Sequence, residues 1–198
     1  MVFFDMEGFV IWFTGLPGSG KTTVARKVES LLLGGGLKVE VLDGDELRVW
    51  LSPEAGFSRE GRERHLKRVT YISQLLSRNG VIVLVPVVSP YLSVRDFARS
   101  NIKNFVEVYV KCSLETCIKR DPKGFYKRAQ MGQIKDMTGL QDPYEEPLSP
   151  ELVLDTDKEN EEESTQRLLD KIIELGFLPK DLQISSKKSP IDKNGSVH

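Results

Sequence analysis

Gly15-Leu16-Pro17-Gly18-Ser19-Gly20-Lys21-Thr22 decides how this chain folds, because the apolar run Phe9-Val10-Ile11-Trp12-Phe13 precedes it and a helix-like stretch from Thr23 to Leu33 follows. The octet spells G-x-x-x-x-G-K-T, the phosphate-binding P-loop, and the motif has meaning only in that strand, loop and helix order. The glycines let successive backbone N–H groups turn inward, and the helix N-terminus adds its positive end at the same spot. Lys21 can reach the β- and γ-phosphates of a nucleoside triphosphate, and the Thr22 hydroxyl can ligate Mg²⁺. A glycine-rich turn that matched by accident would lack the flanking strand and helix.

Outward from the octet, short apolar runs alternate with amphipathic stretches, the pattern of a parallel sheet flanked by helices. Gly34-Gly35-Gly36 ends the first helix. A second strand runs from Lys38 to Leu42 into Asp43-Gly44-Asp45. A long helical pattern covers about Arg59 to Arg78 and stops at Asn79-Gly80. Val81 to Val85 is almost wholly β-branched and reads as a buried central strand, with Pro86 marking its end. Phe105 to Val110 is the next strand, Leu152 to Leu154 a short last one, and an acidic helix runs from about Glu159 to Leu175. Between those strands, Lys119 to Pro150 clusters Lys, Arg, Gly and Pro; a stretch this long inside a domain predicts a mobile lid. From Pro179 the composition turns polar, so residues 179–198 are expected to be a disordered tail behind a domain of residues 1–178.

The length, 198 residues, suits one α/β domain, and the formal net charge of −1 offers no basic field for nucleic acid. No segment reaches the roughly 18 apolar residues of a membrane span, and no cleavable leader is evident, so a cytoplasmic protein is expected. Cys112 and Cys117 are the only cysteines and fit neither a redox pair nor a zinc site. They read as ordinary core residues. His65 and His198 are too few and too far apart for a histidine metal site.

A P-loop alone does not separate kinases from other nucleotide-hydrolysing proteins. The polar residues at the C-terminal ends of the remaining strands discriminate, because doubly wound sheets bind ligands there. Asp43 and Asp45 follow the second strand, Arg48 comes shortly after, Arg62 lies on the next helix, and Ser89-Pro90-Tyr91 follows the central strand. An aspartate beside the γ-phosphate can organise Mg²⁺ or accept the proton of an attacking hydroxyl. Arg48 and Arg62 can hold an anionic acceptor by forked contacts. Phe57, between Gly56 and Ser58, offers a face for a base or fills the core. Tyr91 either packs beneath the site or touches ligand. Arg64, Lys67 and Arg68 read as a solvated helix face. Asp43 and Asp45 could be turn residues, since D-G-D is good turn chemistry, but their position at a strand end favours a role in the site.

These blocks together resemble the adenylyl-sulfate kinases, from about Val10 to Leu178. The similarity rests on Gly15 through Thr23, Leu42-Asp43-Gly44-Asp45, Gly56-Phe57-Ser58, Ser89-Pro90-Tyr91, Arg120 through Tyr126, and Thr138-Gly139 with Pro143-Tyr144-Glu145. The resemblance implies the P-loop nucleoside-triphosphate hydrolase fold with a mononucleotide-kinase-like parallel sheet, and a homodimer, with association with a sulfate adenylyltransferase left open. It implies an Mg²⁺·ATP donor, adenylyl sulfate as acceptor and 3′-phosphoadenylyl sulfate as product. It puts Asp43 and Asp45 near metal and acceptor hydroxyl, with the two roles exchangeable, and Arg48 and Arg62 on the acceptor. It stacks Phe57 on the acceptor adenine, brings Lys123 to the acceptor and Arg120 to the ATP, and adds Val88, Tyr91 and Asp136 to the acceptor site. Ser89 aligns with a serine sometimes described as a phosphorylated intermediate, although in-line transfer needs no covalent relay and leaves it to hydrogen-bond ligand or backbone.

Four positions depart from the family pattern. Glu46 stands for an asparagine, and Gln130 for a lid arginine. His65 replaces an asparagine that contacts the acceptor, offering a similar hydrogen bond with a charge that depends on pH. Met137 replaces the lid aromatic that closes over the adenine, trading planar stacking for a flexible thioether. Three of the four concern acceptor or lid, which keeps a second reading open, a related kinase with another small nucleotide or hydroxylated metabolite as acceptor. A noncatalytic nucleotide-binding regulatory domain is the third, and the intact Lys21 and Thr22 oppose it.

Overall fold

The computed structural model describes residues 7–180, so the polar tail from 181 onward lies outside the described residues. In chain order the elements are β1 (Val10–Thr14), α1 (Lys21–Gly34), β2 (Val39–Val41), α2 (Gly44–Leu51), α3 (Arg59–Ser77) and β3 (Ile82–Pro86). There follow α4 (Leu92–Asn101), β4 (Phe105–Lys111), α5 (Leu114–Arg120), α6 (Phe125–Gln130), β5 (Leu152–Asp155) and α7 (Glu161–Glu174). The strands form one sheet in the order β2-β3-β1-β4-β5, and every pairing is parallel.

Side chains alternate along a strand, so a sheet covered on both faces needs apolar residues at every position. Phe9, Ile11 and Phe13 on and beside β1 pack with Val24, Ala25, Val28 and Leu32 of α1 and with Leu168, Leu169 and Ile172 of α7. Val10 and Trp12 point the other way, into Leu66 and Val69 of α3 and Val94 and Ala98 of α4. A third cluster lies beyond the sheet, where Cys112, Cys117, Tyr126, Ala129 and Met137 pack with Leu16 of the P-loop. Both thiols are free and buried. Among the described residues no helix is long and apolar enough to cross a membrane.

As expected, Pro86 ends β3, as its last residue in register with Phe13; a proline is tolerated there because it ends the ladder. The structure alters other sequence expectations. Asp43-Gly44-Asp45 is no free turn. Asp43 is the N-cap of α2, its carboxylate accepting from the Asp45 N–H at 3.0 Å, and Gly44 and Asp45 open the helix. The segment expected to form a lid, residues 119–150, is partly helical, with α5 ending at Arg120 and α6 inside it. Its far end is held to the β3–α4 loop: Glu145 N–H donates to Pro90 O at 2.8 Å, and the Glu145 carboxylate accepts from Leu92 N–H at 2.6 Å. The hydroxyls of Thr14 and Tyr144 meet at 2.8 Å. Arg95, 1% exposed, donates to both Ser89 O and Glu145 O. Its Nε lies 2.9 Å from Glu107 Oε1 without hydrogen-bond alignment, so the pair gains charge attraction but not a directed bond.

The start of α3 sets the approach of the Phe57 loop. Ser58 caps the helix by accepting from Gly61 N–H at 3.2 Å, and a Cβ on Gly61 would stand 1.7 Å from Ala55 O. Alanine is the better helix former by about 1 kcal/mol, but the clash is with backbone and outweighs it. Gly61→Ala is expected to lower stability by about 1–3 kcal/mol, read from the urea midpoint; a stabilised variant would refute the close approach.

Candidate functional site

β1 delivers the P-loop to the C-terminal edge of the sheet, where the chain's crossovers diverge to β2 and β3 on one side and β4 and β5 on the other. Gly15 has φ +148°, and a Cβ there would stand 2.4 Å from Val110 O, so the loop needs glycine against β4. Gly20, with φ +100°, is the left-handed N-cap of α1. Lys21, 7% exposed, donates from Nζ to Gly15 O at 2.9 Å, Leu16 O at 2.7 Å and Ser19 Oγ at 3.3 Å. The carbonyls it holds are those of the cradle itself.

A cavity of about 630 Å³ opens beside this loop. It is lined at one end by Pro17, Gly18, Gly20, Lys21, Thr22 and Thr23, and across from them by Asp43 and Asp45. The Thr22 hydroxyl lies 3.5 Å from Asp43 Oδ2, leaving two hard oxygens facing each other at the mouth of the cradle. Among the described residues no three His, Cys, Asp or Glu side chains gather as a metal cage. The donor set suits Mg²⁺, which keeps several waters and takes phosphate oxygens rather than an all-protein shell. Asp45 and Lys123 form an ion pair across the cavity, which holds the Lys123 ammonium above the usual lysine range.

The other end carries the acceptor candidates. Phe57, 53% exposed, has two guanidinium groups against its ring, with Arg48 Cζ at 4.6 Å and Arg62 Cζ at 5.6 Å from the ring centre. Arg48 donates to Gly56 O at 2.5 Å; Arg62 donates to Phe57 O at 2.8 Å and to Asp136 O at 2.6 Å. Burial lowers the pKa of both arginines, and Asp142 partly offsets this at Arg62. His65, Val88, Asp136 and Met137 complete this wall. Val88 presents its carbonyl to the Thr14 hydroxyl at 2.9 Å, and Asp136 holds a left-handed backbone with φ +59°. Two buried polar atoms of lining residues, His65 Nε2 and Thr138 Oγ1, have no partner among the described residues.

Three expected residues behave differently. Tyr91 is 1% exposed, does not line the cavity, and donates from its hydroxyl to Asp142 Oδ2 at 2.5 Å, so of the two alternatives it packs beneath the site. Ser89 lines the cavity but turns its Oγ to the core, accepting from Trp12 Nε1 at 3.0 Å; it is not presented as a nucleophile. Arg120 lies outside the lining and reaches the donor side only through Thr156, donating to Thr156 O at 2.6 Å while the Thr156 hydroxyl donates to Ser19 O at 2.9 Å. Gly15, Leu16 and Ser19 are also outside the lining and hold the loop from behind. His65 is 2% exposed with its pKa lowered to about 4, chiefly by burial and then by Arg48 and Arg68. It is therefore neutral at ordinary pH, and the expected pH-dependent charge does not arise. Tyr126, whose hydroxyl donates to Pro17 O at 2.9 Å, was not singled out, although it sits in the Arg120–Tyr126 block. Arg95 and Thr156 carry no sequence signal that separates them from surface residues.

The adenylylsulphate kinase family matches residues 7–155. The chain belongs to that family. Among its relatives, an adenylyl-sulfate kinase of Rippkaea orientalis (strain PCC 8801 / RF-1) is 48% identical over 178 residues, covering 90% of this chain and 98% of that protein. A probable bifunctional SAT/APS kinase 2 of Sorangium cellulosum (strain So ce56) is 47% identical over 175 residues, and there the match takes 88% of this chain but only 30% of the longer protein. The solved APS kinase of Mycobacterium tuberculosis in complex with AMPPNP and APS superposes with a TM-score of 0.82 at 40% identity, covering 85% of this chain and 99% of that one. An adenylylsulphate kinase fold thus places the P-loop and the arginine–phenylalanine face on one cavity.

Lys21 gives this site a pH signature. Burial, the main cause, lowers its pKa to about 8. A bound triphosphate favours the ammonium and raises the pKa again. Below pH 8 the lysine is charged with or without nucleotide, so affinity is flat; above it the free site is neutral, and affinity falls towards tenfold per pH unit. The second ionisation of phosphate, near pH 6, is already complete. Calorimetry of ATP binding at about pH 9 in buffers of different ionisation enthalpy should show proton uptake that Lys21→Arg abolishes; no uptake in the unsubstituted protein would refute the burial of this charge.

Proposed function

We propose that this chain transfers the γ-phosphoryl group of ATP to the 3′-hydroxyl of adenylyl sulfate, giving 3′-phosphoadenylyl sulfate and ADP. One observation carries the reading: an intact phosphate cradle, two aspartates and a phenylalanine with two guanidinium groups against its ring line a single cavity. The cradle suits the donor's phosphates. The Arg48–Phe57–Arg62 face suits a second nucleotide, with a ring for its base and fixed cations for its phosphosulfate.

In this reading Lys21 exchanges the loop carbonyls for the β- and γ-phosphate oxygens and offsets charge on the transferred group. Thr22 and Asp43 would hold Mg²⁺, which supplies charge neutralisation at the phosphates when bound. Asp45 accepts the proton of the acceptor hydroxyl, and the acceptor's arrival separates Asp45 from Lys123 and frees that ammonium for an anionic oxygen. Met137, 6% exposed among Tyr126 and Ala129, closes the acceptor end with the lid, which we take as residues 119–150 of a kinase domain spanning residues 1–178. The reaction is assigned to the cytoplasm, where ATP is supplied and thiols such as Cys112 and Cys117 stay free. The fused relative supports association with a sulfate adenylyltransferase. A homodimer is the expected assembly, and Val49 and Trp50 on α2, 68% and 78% exposed, are apolar surface that a partner copy would cover.

Asp45→Asn is expected to cut turnover by about 10²–10⁴-fold while leaving the ATP dissociation constant in place; undiminished turnover would remove Asp45 from the mechanism. A panel of acceptors in one ATP-consumption assay tests the substrate. Turnover with another hydroxylated metabolite and none with adenylyl sulfate would replace the acceptor while keeping the kinase.

A further inference from the structure

His65 lies on the buried face of α3, one turn beyond Arg62. Its Nδ1 is 3.0 Å from Ser52 Oγ, and Ser52, the fully buried C-cap of α2, does not line the cavity. The Nδ1 edge of the ring therefore faces away from the ligand space, and Nε2, buried and without a partner among the described residues, lies on the remaining edge. Arg68 Nη1 donates to Ser52 Oγ at 3.1 Å and to Leu51 O at 2.5 Å, and Glu54 holds the guanidinium at 2.7 Å. An arginine can only donate, so one lone pair of the Ser52 hydroxyl is spoken for. Its own hydrogen still needs an acceptor, and among the described residues Nδ1 is the one acceptor that contacts it. The reverse assignment, with Nδ1–H donating to serine, leaves a buried hydroxyl hydrogen unpaired.

We propose that Arg68 and Ser52 act as a positioning relay that fixes His65 as a neutral imidazole with its hydrogen on Nε2, a single donor offered to a lone pair of the bound acceptor. The proton order runs Arg68 to Ser52 to His65 to ligand, with each group donating to the next. The low basicity of the ring, caused by burial and by Arg48 and Arg68, keeps the imidazolium out of the arrangement. Glu54 is the carboxylate on the far side of Arg68. The relay also gives Arg68 a task that its place on an apparently solvated helix face conceals. It selects acceptors that carry a ring nitrogen, carbonyl or anionic oxygen at that point and disfavours those that present a donor. The proposal rests on the acceptor reading above for its ligand, but not for its proton placement.

Two measurements test it. Imidazole ¹⁵N spectra of the nucleotide-free protein, with His65→Asn used to separate the ring from that of His198, should report the Nε2–H tautomer at neutral pH. This holds whatever the acceptor is, so the relay and the acceptor identity fail separately. Steady-state kinetics, with whichever acceptor turns over, then read the consequence. Ser52→Ala should raise the acceptor KM about tenfold with little change in kcat or in the ATP KM. In a His65→Asn background the amide donates without help from serine, so adding Ser52→Ala should leave the acceptor KM where His65→Asn alone puts it. An Nδ1–H tautomer in the unsubstituted protein, or a Ser52→Ala penalty that persists at full size in the His65→Asn background, would overturn the relay.

Discussion

The burial of one ammonium group organises this molecule. Lys21 sits beneath the loop that precedes it, its charge answered by the carbonyls of Gly15 and Leu16 and by the hydroxyl of Ser19. A charge removed from water and held only by dipoles is costly, and a polyphosphate is the ligand that relieves the cost. The loop can take that shape because Gly15 lets it lie against β4 and Gly20 turns it into α1. β1, buried on both faces between β3 and β4, keeps the loop's starting point rigid.

Charge pairing continues across the cavity. Asp45 and Lys123 close it from opposite sides, one from the start of α2 and one from the segment 119–150. Further out, Arg48 and Arg62 spend their donors on the carbonyls of Gly56, Phe57 and Asp136, so both side chains are already oriented before any ligand arrives. Beneath them, Arg95 ties the β3–α4 loop to the far end of the same segment through Ser89 O and Glu145 O. The segment 119–150 is thus anchored at Glu145 and packed by Met137 at its middle, and the stretch around Lys123 lines the cavity opposite Asp45.

Much of this was legible in the chain. The P-loop octet, the apolar strands and the long α3 follow from local patterns, since period, glycine and proline act over a few residues. The placing of Asp43, Asp45, Arg48, Phe57 and Arg62 around one cavity followed from strand ends and family motifs, and all five line it. What eluded sequence reasoning has a common cause. Ser89 and Tyr91 sit in a motif shared with ligand-binding residues, yet the hydroxyl of one goes to Trp12 and that of the other to Asp142, partners 77 and 51 residues away. Arg68 resembles its charged neighbours on α3 and differs only because α2 ends on Ser52 beside it. The short helices α2 and α4 have few turns from which to read a period; α4 buries Val94, Arg95 and Ala98, whereas α2 buries no residue fully.

By itself the sequence determined the phosphate cradle, the parallel α/β architecture and the family, because each depends on residues close together in the chain or on motifs in fixed order. Tertiary structure alone decided that the hydroxyls of Ser89 and Tyr91 turn to Trp12 and Asp142, that Arg120 braces Thr156 instead of lining the cavity, and that His65 is buried and neutral. Side-chain direction, burial and proton placement are set by neighbours distant in sequence, and no local pattern encodes where those neighbours will stand.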